Sequence, residues 1–278
     1  MASISEKAQL MPASAIRKLV PFADAAKKQG VKVYHLNLGQ PDIKSPKCAL
    51  DAVKNYSLEN VSYSHSAGLM ELRKGLVEKY YKKIGIDLTV DELIVTVAGS
   101  ESVNLALEIA CNPGDEVIVL EPFYTNYNTF AFMNGLTLKA IPTDIRNGFQ
   151  IPPIEEFEKA ITDKTKAILV CNPGNPTGTQ YSKESMLALG EIARKHDLFL
   201  LSDEVYREFC YTDEPHFSAM QIPGLEQNVI LIDSVSKRYN LCGARIGCIV
   251  SHNKDVMAAA MKFAQARLCP PVLGQMAS

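Results

Sequence analysis

Asn228-Val229-Ile230-Leu231-Ile232 is an apolar run, and Asp233-Ser234-Val235-Ser236-Lys237 follows it directly. A short run rich in β-branched residues predicts a buried β-strand. The Ser-x-Ser-Lys sequence therefore lies where a strand ends and a loop begins, which is where open α/β sheets hold their ligands. Arg245 follows eight residues after Lys237. Two hydroxyls, an arginine and a lysine in this arrangement indicate an amine that forms an imine beside a bound phosphate.

Two loops upstream have the same character. Asn172-Pro173-Gly174-Asn175-Pro176-Thr177-Gly178 and Ser202-Asp203-Glu204-Val205-Tyr206 each stand at the end of an apolar predicted strand. A single lysine motif is weak evidence, because short motifs often match by chance. Three loops of this kind, in this order, make the prediction of a ligand site at the edge of a sheet much stronger.

Strand and helix patterns alternate along the chain, and this alternation predicts the fold class. Short apolar segments are separated by longer segments with helical periodicity. The order predicts a three-layer α/β/α fold with a mostly parallel sheet covered by helices on both faces. The predicted strands are 93–97, 116–120, 136–141, 167–170, 198–201, 229–232 and 246–250. The predicted helices are 14–29, 71–83, a segment after 102, 155–161, 183–196 and 253–267.

Composition and charge exclude several classes of protein. The chain has 278 residues, 47% of them hydrophobic and 22% charged, and its net charge is −2. Such a chain is typical of a globular protein with no general attraction to nucleic acid or to anionic membranes. No apolar run is long enough to predict a membrane span, and no His, Cys or carboxylate spacing predicts a metal site. The seven cysteines form no Cys-x-x-Cys pair, which favours reduced thiols and a cytoplasmic location.

Several residues in these loops are suited to holding a phosphate. Ser234, Ser236 and Arg245 offer hydroxyl and guanidinium donors. Gly99-Ser100-Glu101 lies at a predicted strand-to-helix junction, where backbone N–H groups and the helix dipole favour an anion. An ordinary capped loop explains that junction equally well. We expect Glu101 to turn its carboxylate away, and Arg238 to point to solvent rather than bind the phosphate.

Other side chains are suited to a flat, protonated ring. Asp203 directly follows a predicted buried strand and is either a helix cap or the partner of a cation. Tyr206 can reach the same ligand or pack in the core. Asn175 lies in a rigid turn between two prolines, which can aim its amide inward or serve the turn alone. Because the chain contains no tryptophan, a stacking ring has to be another aromatic residue. Tyr124 is the first candidate, and Tyr63 and Tyr127 are weaker ones.

In combination, these motifs resemble the class I/II pyridoxal-phosphate-dependent aminotransferases of the aspartate-aminotransferase-like, fold type I group. The resemblance covers nearly the whole chain. It implies that Lys237 forms a Schiff base with pyridoxal 5′-phosphate and shuttles the substrate Cα proton. It also implies that Asp203 holds the ring nitrogen protonated, and that Tyr206 and Asn175 bond the ring oxygen. The residues that it implies for the phosphate are Gly99, Ser100, Glu101, Ser234, Ser236 and Arg245.

The same resemblance implies contacts to the substrate and to a second subunit. Gly39 and Asn175 would contact the substrate, and Tyr124 stands where many relatives stack a tryptophan on the ring. Tyr63 resembles the tyrosine that reaches the phosphate bound by the partner subunit. We therefore expect a homodimer that moves an amino group between an amino acid and a 2-oxo acid by a ping-pong route. The alternatives are a pyridoxal-phosphate-dependent β-lyase or synthase of the same fold, a non-catalytic cofactor-binding fragment, and a ligand-sensing domain.

The resemblance also divides the chain into parts. Residues 1–45 would form an N-terminal arm and part of a small domain, and residues 46–278 the large, cofactor-binding domain. Complete relatives continue into a C-terminal small domain that carries an arginine for the substrate carboxylate. Pro270-Pro271 ends one predicted helix, and residues 272–278 resemble the start of another. We therefore expect the C-terminal small domain to be largely absent from this chain.

Overall fold

A sheet of seven strands forms the centre of the fold. The strands are β1 (Leu93–Thr96), β2 (Glu116–Glu121), β3 (Thr137–Pro142), β4 (Thr165–Cys171), β5 (Phe199–Asp203), β6 (Val229–Ser234) and β7 (Gly247–Val250). Their spatial order is β1-β7-β6-β5-β4-β2-β3. The computed structural model describes residues 2–14, 16–37, 39–56 and 59–278. Outside the described residues lie Met1, Ala15 and Leu38 of the predicted arm, and also Ser57 and Leu58.

The strand directions confirm the predicted, mostly parallel sheet. Strand β7 is antiparallel to both of its neighbours, β1 and β6. The pairs β2–β3, β2–β4, β4–β5 and β5–β6 are parallel. Each predicted strand is present, with ends that differ from the prediction by at most two residues.

Helices cover both faces of the sheet and confirm the three-layer α/β/α fold. The α-helices of the described residues are α1 (Glu6–Leu10), α2 (Val20–Lys28), α3 (Lys47–Lys54), α4 (Met70–Gly75), α5 (Ala98–Ala110), α6 (Asn126–Asn134), α7 (Ile154–Ala160), α8 (Lys183–Lys195), α9 (Val235–Arg238), α10 (Lys254–Ala266) and α11 (Val272–Met276). Successive residues of a strand face opposite layers. Val117 of β2 accordingly belongs to the core formed with α5 and α10, and Ile118 to the core formed with α8.

The predicted helix 71–83 consists of three consecutive segments. Helix α4 leads into a π-helical segment, Leu76–Tyr80, and then into a 3₁₀ segment, Tyr81–Ile84. Gly85 ends it in the left-handed conformation, with φ of 76°, which glycine adopts without steric cost. Further 3₁₀ segments are Arg17–Leu19, Val90–Glu92, Ile145–Asn147, Ala219–Gln221 and Cys242–Ala244.

The strand ends that carry the sequence motifs lie along one edge of the sheet. Cys171 at the end of β4 is in register with Asp203 at the end of β5. Ser234 at the end of β6 is in register with Gly247 at the start of β7, and Gly247 also pairs with Thr96 at the end of β1. Because β7 runs in the opposite direction, its first residues meet the last residues of its neighbours. The loops after β1, β4, β5 and β6 therefore converge on one edge.

The N-terminal residues contribute little to the core. None of the described residues up to position 45 is buried, and Ala49 is the first buried one. Four hydrogen bonds attach the described part of this segment to the rest of the fold. Lys7 Nζ donates to the Met133 carbonyl at 2.6 Å and Ser45 Oγ to the Asn240 carbonyl at 2.7 Å. In the other direction, Lys237 Nζ donates to the Gly39 carbonyl at 2.6 Å and Asn240 Nδ2 to the Ile43 carbonyl. Within the part of the chain that the structure describes, no helix has the length and apolar character needed to cross a membrane.

Candidate active site

Asp203 is the last residue of β5, and its carboxylate lies in the interior. The residue is 6% exposed. The Tyr127 hydroxyl donates to Oδ2 at 2.7 Å, and the Val205 N–H to Oδ1 at 3.4 Å. No Lys, Arg or His nitrogen of the described residues lies within 4.0 Å of the carboxylate. Burial raises the pKa of Asp203 to about 6, and the bond from Tyr127 opposes that shift. A positively charged ligand atom beside Asp203 would offset the cost of burying its charge.

Tyr206 and Asn175 meet near Asp203. Asn175 Nδ2 donates to the Tyr206 hydroxyl at 3.1 Å, which joins the loop after β4 to the loop after β5. Burial raises the pKa of Tyr206, and the negative charge of Asp203 adds to the shift. The hydroxyl therefore stays protonated at neutral pH. A phenol and an amide in this position can both donate hydrogen bonds to an oxygen of a ligand.

Tyr124, in the loop after β2, lies at the same edge. Asn126 Nδ2 donates to its hydroxyl at 2.9 Å, and its ring meets the Tyr127 ring edge to face at a centroid distance of 5.5 Å. Burial raises the pKa of Tyr124, the charge of Asp203 adds to the shift, and the charge of Arg245 opposes it. The charges of Asp203 and Arg245 therefore both act on the Tyr124 hydroxyl, and their effects oppose each other.

The end of β6 and the start of α9 form a hydroxyl cluster. Ser234 Oγ lies 2.8 Å from Ser236 Oγ and 2.9 Å from the carbonyl oxygen of Ile246. The Ser236 N–H donates to Ser234 Oγ at 3.1 Å, so Ser234 caps α9. Lys237 thus lies in a four-residue helix and not in the loop that the sequence predicts. The cap explains the difference, because a serine side chain at this position stabilises the first helical turn.

The amino end of α5 packs against the hydroxyl cluster. A Cβ atom on Gly99 would lie 3.7 Å from Ser234 Cβ and 3.3 Å from Val205 Cγ1. A Cβ atom on Gly247 would lie only 2.7 Å from Gly99 N. Glycine at position 247 therefore allows α5 to approach the end of β6. The free N–H groups and the dipole of this helix end favour an anion beside the two serines.

Ser100 and Glu101 complete the first turn of α5. The Glu101 carboxylate accepts hydrogen bonds from the Val97 N–H and from Arg267 Nε, the latter at 2.8 Å. Arg267 also donates to the carbonyl oxygen of Ser66 at 3.4 Å. The carboxylate is therefore bound to an arginine, as we expect of a side chain turned away from an anion. The first N–H groups of the helix have no carbonyl partner within the helix, so they are suited to binding an anion.

Lys237 and Gly39 are brought together from distant parts of the chain. Lys237 Nζ donates to the Gly39 carbonyl oxygen at 2.6 Å. Arg245 is exposed, adopts a left-handed φ of 57°, and donates from Nη1 to the Cys242 carbonyl at 3.0 Å. Tyr63 is 79% exposed. The fold thus gathers the other predicted residues at one sheet edge and leaves Tyr63 on the surface.

Arg238 is buried, so the expectation that it points to solvent is wrong. Its side chain is 3% exposed, and Nη2 donates to Asp233 Oδ1 at 2.8 Å and to Oδ2 at 3.0 Å. Its guanidinium carbon lies 4.1 Å from the centroid of the Tyr80 ring. A buried carboxylate requires such a partner. The sequence does not show that two residues five positions apart face each other across the start of α9.

Two side chains support the site in roles that the sequence analysis does not assign to them. Tyr127, which the sequence favours only weakly as a stacking ring, donates to the Asp203 carboxylate. Glu204 is fully buried, accepts from Ser218 Oγ at 2.9 Å and pairs with Arg207. These bonds fix the residue that follows Asp203. Among the described residues, no three His, Cys, Asp or Glu side chains lie close enough together to hold a metal ion.

Similarity to known proteins identifies the family. Residues 31–278 match the family described as aminotransferase class I and II. The chain belongs to this family. The aspartate/prephenate aminotransferase of Thermus thermophilus is 32% identical to this aminotransferase, over all of this chain and 71% of that protein. The putative aminotransferase YugH of Bacillus subtilis is 35% identical, over 99% of this chain and 70% of that protein.

Solved structures of aminotransferases share the fold of this aminotransferase. The aspartate aminotransferase of Thermotoga maritima matches 99% of this chain and 73% of its own, with a TM-score of 0.92 at 30% identity. The alanine aminotransferase of Pyrococcus furiosus matches 99% of this chain and 71% of its own, with a TM-score of 0.90 at 33% identity. The β-lyase or synthase alternative is not favoured, because these relatives are aminotransferases.

Members of this family use pyridoxal phosphate, and the predicted family, fold and cofactor are confirmed. The residues at the sheet edge fit the cofactor. The buried carboxylate of Asp203, which has only neutral donors beside it, matches a protonated ring nitrogen. The hydroxyl cluster of Ser234 and Ser236, beside the amino end of α5, matches a phosphate. The protein is a pyridoxal-phosphate-dependent aminotransferase.

Proposed function

We propose that this aminotransferase moves an amino group between an amino acid and a 2-oxo acid by a ping-pong route, with Lys237 holding the cofactor covalently. One observation carries this assignment. The Asp203 carboxylate is buried with neutral donors only, at the sheet edge that also holds Lys237 and the hydroxyl cluster of Ser234 and Ser236. A site for a neutral ligand would gain nothing from such a carboxylate, since burial penalises its charge.

When bound, pyridoxal phosphate supplies an electron sink for the electron pair left at the substrate Cα. Asp203 keeps the ring nitrogen protonated through a charge-assisted hydrogen bond, and Tyr127 fixes the orientation of that carboxylate. The Lys237 amine, released when the amino group of the substrate takes its place, would remove the proton from the substrate Cα as a base and then return a proton as an acid. Tyr206 and Asn175 donate hydrogen bonds to the ring oxygen.

The phosphate would be held by neutral and charged donors. Arg245 would supply the positive charge through its guanidinium donors, and α5 would supply backbone N–H groups. Tyr124 stacks on the ring, while Gly39 and Asn175 contact the substrate. The proposed phosphate ligands are Gly99, Ser100, Glu101, Ser234, Ser236 and Arg245, with Tyr63 of a second subunit.

Aspartate is the amino donor that we propose to test first. Relatives from Thermus thermophilus and Thermotoga maritima are named for aspartate, and they are 32% and 30% identical to this chain. The Pyrococcus furiosus relative, which is 33% identical, is named for alanine. Binding of both donors to the loaded protein distinguishes the two possibilities.

We further propose a cytoplasmic homodimer with an N-terminal arm at 1–45 and a large domain at 46–278. The described part of the arm contains no buried residue but carries large exposed apolar side chains, including Phe22 at 74% and Leu36 at 94%. Exposed apolar surface of this kind is typical of a segment that packs against a partner.

Borohydride reduction of the loaded protein tests the attachment point. We expect the reduced cofactor to remain on the peptide that contains Lys237, and Lys237→Ala to lose both this mass and the visible absorbance of the bound cofactor. The variant should keep its thermal stability, because among the described residues the Lys237 amine donates a hydrogen bond to Gly39 alone.

Lys262→Ala is the matched control, because Lys262 is an exposed lysine on α10. It should retain the absorbance and the labelled peptide. An unchanged cofactor spectrum in Lys237→Ala, or a label on another lysine, would refute the assignment.

A further inference from the structure

Asp233 and Arg238 lie at the two ends of the segment that carries Ser234, Ser236 and Lys237. Asp233 precedes the first serine and Arg238 follows the lysine. Their side chains meet in the interior, where Arg238 Nη2 lies 2.8 Å and 3.0 Å from the two Asp233 oxygens. The ion pair therefore closes a small loop around the hydroxyl cluster and the lysine.

The pair is buried and held from several sides. The two side chains are 2% and 3% exposed. The Tyr81 hydroxyl donates to Asp233 Oδ2 at 2.9 Å, and the Arg238 guanidinium lies over the Tyr80 ring. Burying two charges is costly even when they are paired. A buried ion pair is therefore weak evidence for stability, and fixing one arrangement of the chain is a better-supported use for it.

The backbone of the segment is tied to the pair at both ends. Asp233 Oδ1 also accepts from the Ser234 N–H at 2.7 Å, which sets the direction in which β6 leads into the hydroxyl cluster. Arg238 is the last residue of α9. Consecutive helical residues point about 100° apart, so a guanidinium held towards Asp233 turns Lys237 to another side, where its amine meets Gly39.

We propose that Asp233 and Arg238 are positioning residues that hold the two phosphate-binding hydroxyls and the Lys237 amine in register with one another. The inference rests on the proposed function. It adds that the orientation of these three groups depends on an ion pair that touches neither substrate nor cofactor. Loss of the pair should therefore weaken recognition of the phosphate specifically.

Arg238→Met tests this proposal through a ratio of affinities. The dissociation constants of pyridoxal phosphate and of pyridoxal, which has no phosphate, are measured by absorbance titration below the melting temperature of each variant. We expect Arg238→Met to lower the preference for the phosphorylated form at least tenfold, and Arg238→Lys to lower it less. Inorganic phosphate should bind the cofactor-free variant more weakly by a similar factor.

Arg73→Met is the matched control. Arg73 is 4% exposed and donates from Nε to the Leu93 carbonyl at 3.1 Å, at the far end of β1 from the site. Its loss should lower stability while leaving the preference for the phosphorylated form unchanged. If Arg238→Met and Arg73→Met have the same preference as the original protein, the positioning role is refuted.

The double variant Asp233→Asn/Arg238→Met separates positioning from stability, because it leaves no unpaired buried charge. The double variant can also replace Arg238→Met in the affinity measurement if Arg238→Met alone does not fold. A reduced preference for the phosphorylated form in this variant supports the proposal, and a restored preference overturns it. If the unmodified protein shows no preference for pyridoxal phosphate over pyridoxal, the proposed function fails as well. If only the Arg238→Met variant keeps the original preference, the positioning role alone is refuted.

Discussion

Asp203 is a buried carboxylate with neutral donors beside it, so its protonation depends on what binds there. Burial raises its pKa to about 6 from an ordinary value of 3.8. Between these two values the folded protein binds the Asp203 proton while the unfolded chain releases it. The contribution of Asp203 to the free energy of unfolding is therefore largest below the unfolded pKa, and it is lost as the pH rises through about 6.

We expect the cofactor-free protein to lose about 1 to 2 kcal/mol of stability from Asp203 between pH 5 and pH 8. Asp203→Asn cannot ionise, so this part of the pH dependence should disappear, and the variant should be the more stable protein at pH 8. Urea unfolding of both proteins across this pH range measures the difference. If the stability of the two proteins changed with pH in the same way, Asp203 could not be a buried carboxylate that lacks a charged partner. Pyridoxal phosphate should reverse the order, because the charged carboxylate then gains a cationic partner.

At the scale of elements, the approach of α5 to the end of β6 depends on Gly247. A Cβ atom there would lie 2.6 Å from the Ala98 carbonyl carbon, 2.7 Å from Gly99 N and 2.7 Å from the Asp233 carbonyl oxygen. All three are backbone atoms, so the helix or the strand would have to move. Gly243 lies in the preceding 3₁₀ segment, and no atom of the described residues lies within 4 Å of a Cβ added there.

We expect Gly247→Ala to cost about 1 to 3 kcal/mol of stability through overpacking. It should also weaken binding of pyridoxal phosphate, because Gly99 belongs to the proposed phosphate site. Gly243→Ala is the control and should change neither quantity. Chemical unfolding and a cofactor titration measure both effects, and equal behaviour of the two variants would show that α5 tolerates the displacement.

The sequence predicts the strands well because each one is an apolar run bounded by polar residues. It does not predict α6, whose sequence, Asn126–Asn134, lacks an apolar stripe and consists largely of weak helix formers. That helix forms where Tyr127 and Ala131 pack into the core and Gly135 ends it at φ 68°. Tertiary packing overrides propensity there.

In the site, too, the sequence predicts the residues that lie in motifs but not the contacts that depend on tertiary packing. Lys237, Asp203 and Asn175 lie in motifs that follow predicted strands. The sequence therefore predicts that they lie at the same edge of the sheet. The bond from Tyr127 to Asp203 depends on how α6 packs, and the position of Arg238 depends on a buried carboxylate five residues away. A local sequence pattern does not contain such contacts.

At the scale of the whole molecule, Tyr63 and the described residues of the arm are more exposed than the rest of the fold. Tyr63 is 79% exposed, and Tyr34 is 70% exposed. Gln275 Nε2 donates to Ser64 Oγ at 3.2 Å, and Arg267 donates to the Ser66 carbonyl. The segment next to Tyr63 is therefore fixed to the body while the tyrosine projects outward, as a residue that serves a second subunit must.

Mixed dimers of Tyr63→Ala and Lys237→Ala chains test this arrangement. In a dimer with shared sites, Lys237 of the first chain meets Tyr63 of the second, so one of the two sites is intact. We expect such dimers, purified by two different tags, to have twice the 30.6 kDa mass of one chain and to bind one pyridoxal phosphate that borohydride fixes, with the affinity of the original protein. Tyr63→Ala homodimers should bind it more weakly at both sites. If Tyr63 served its own subunit, no mixed dimer would hold an intact site, and the original affinity would not return.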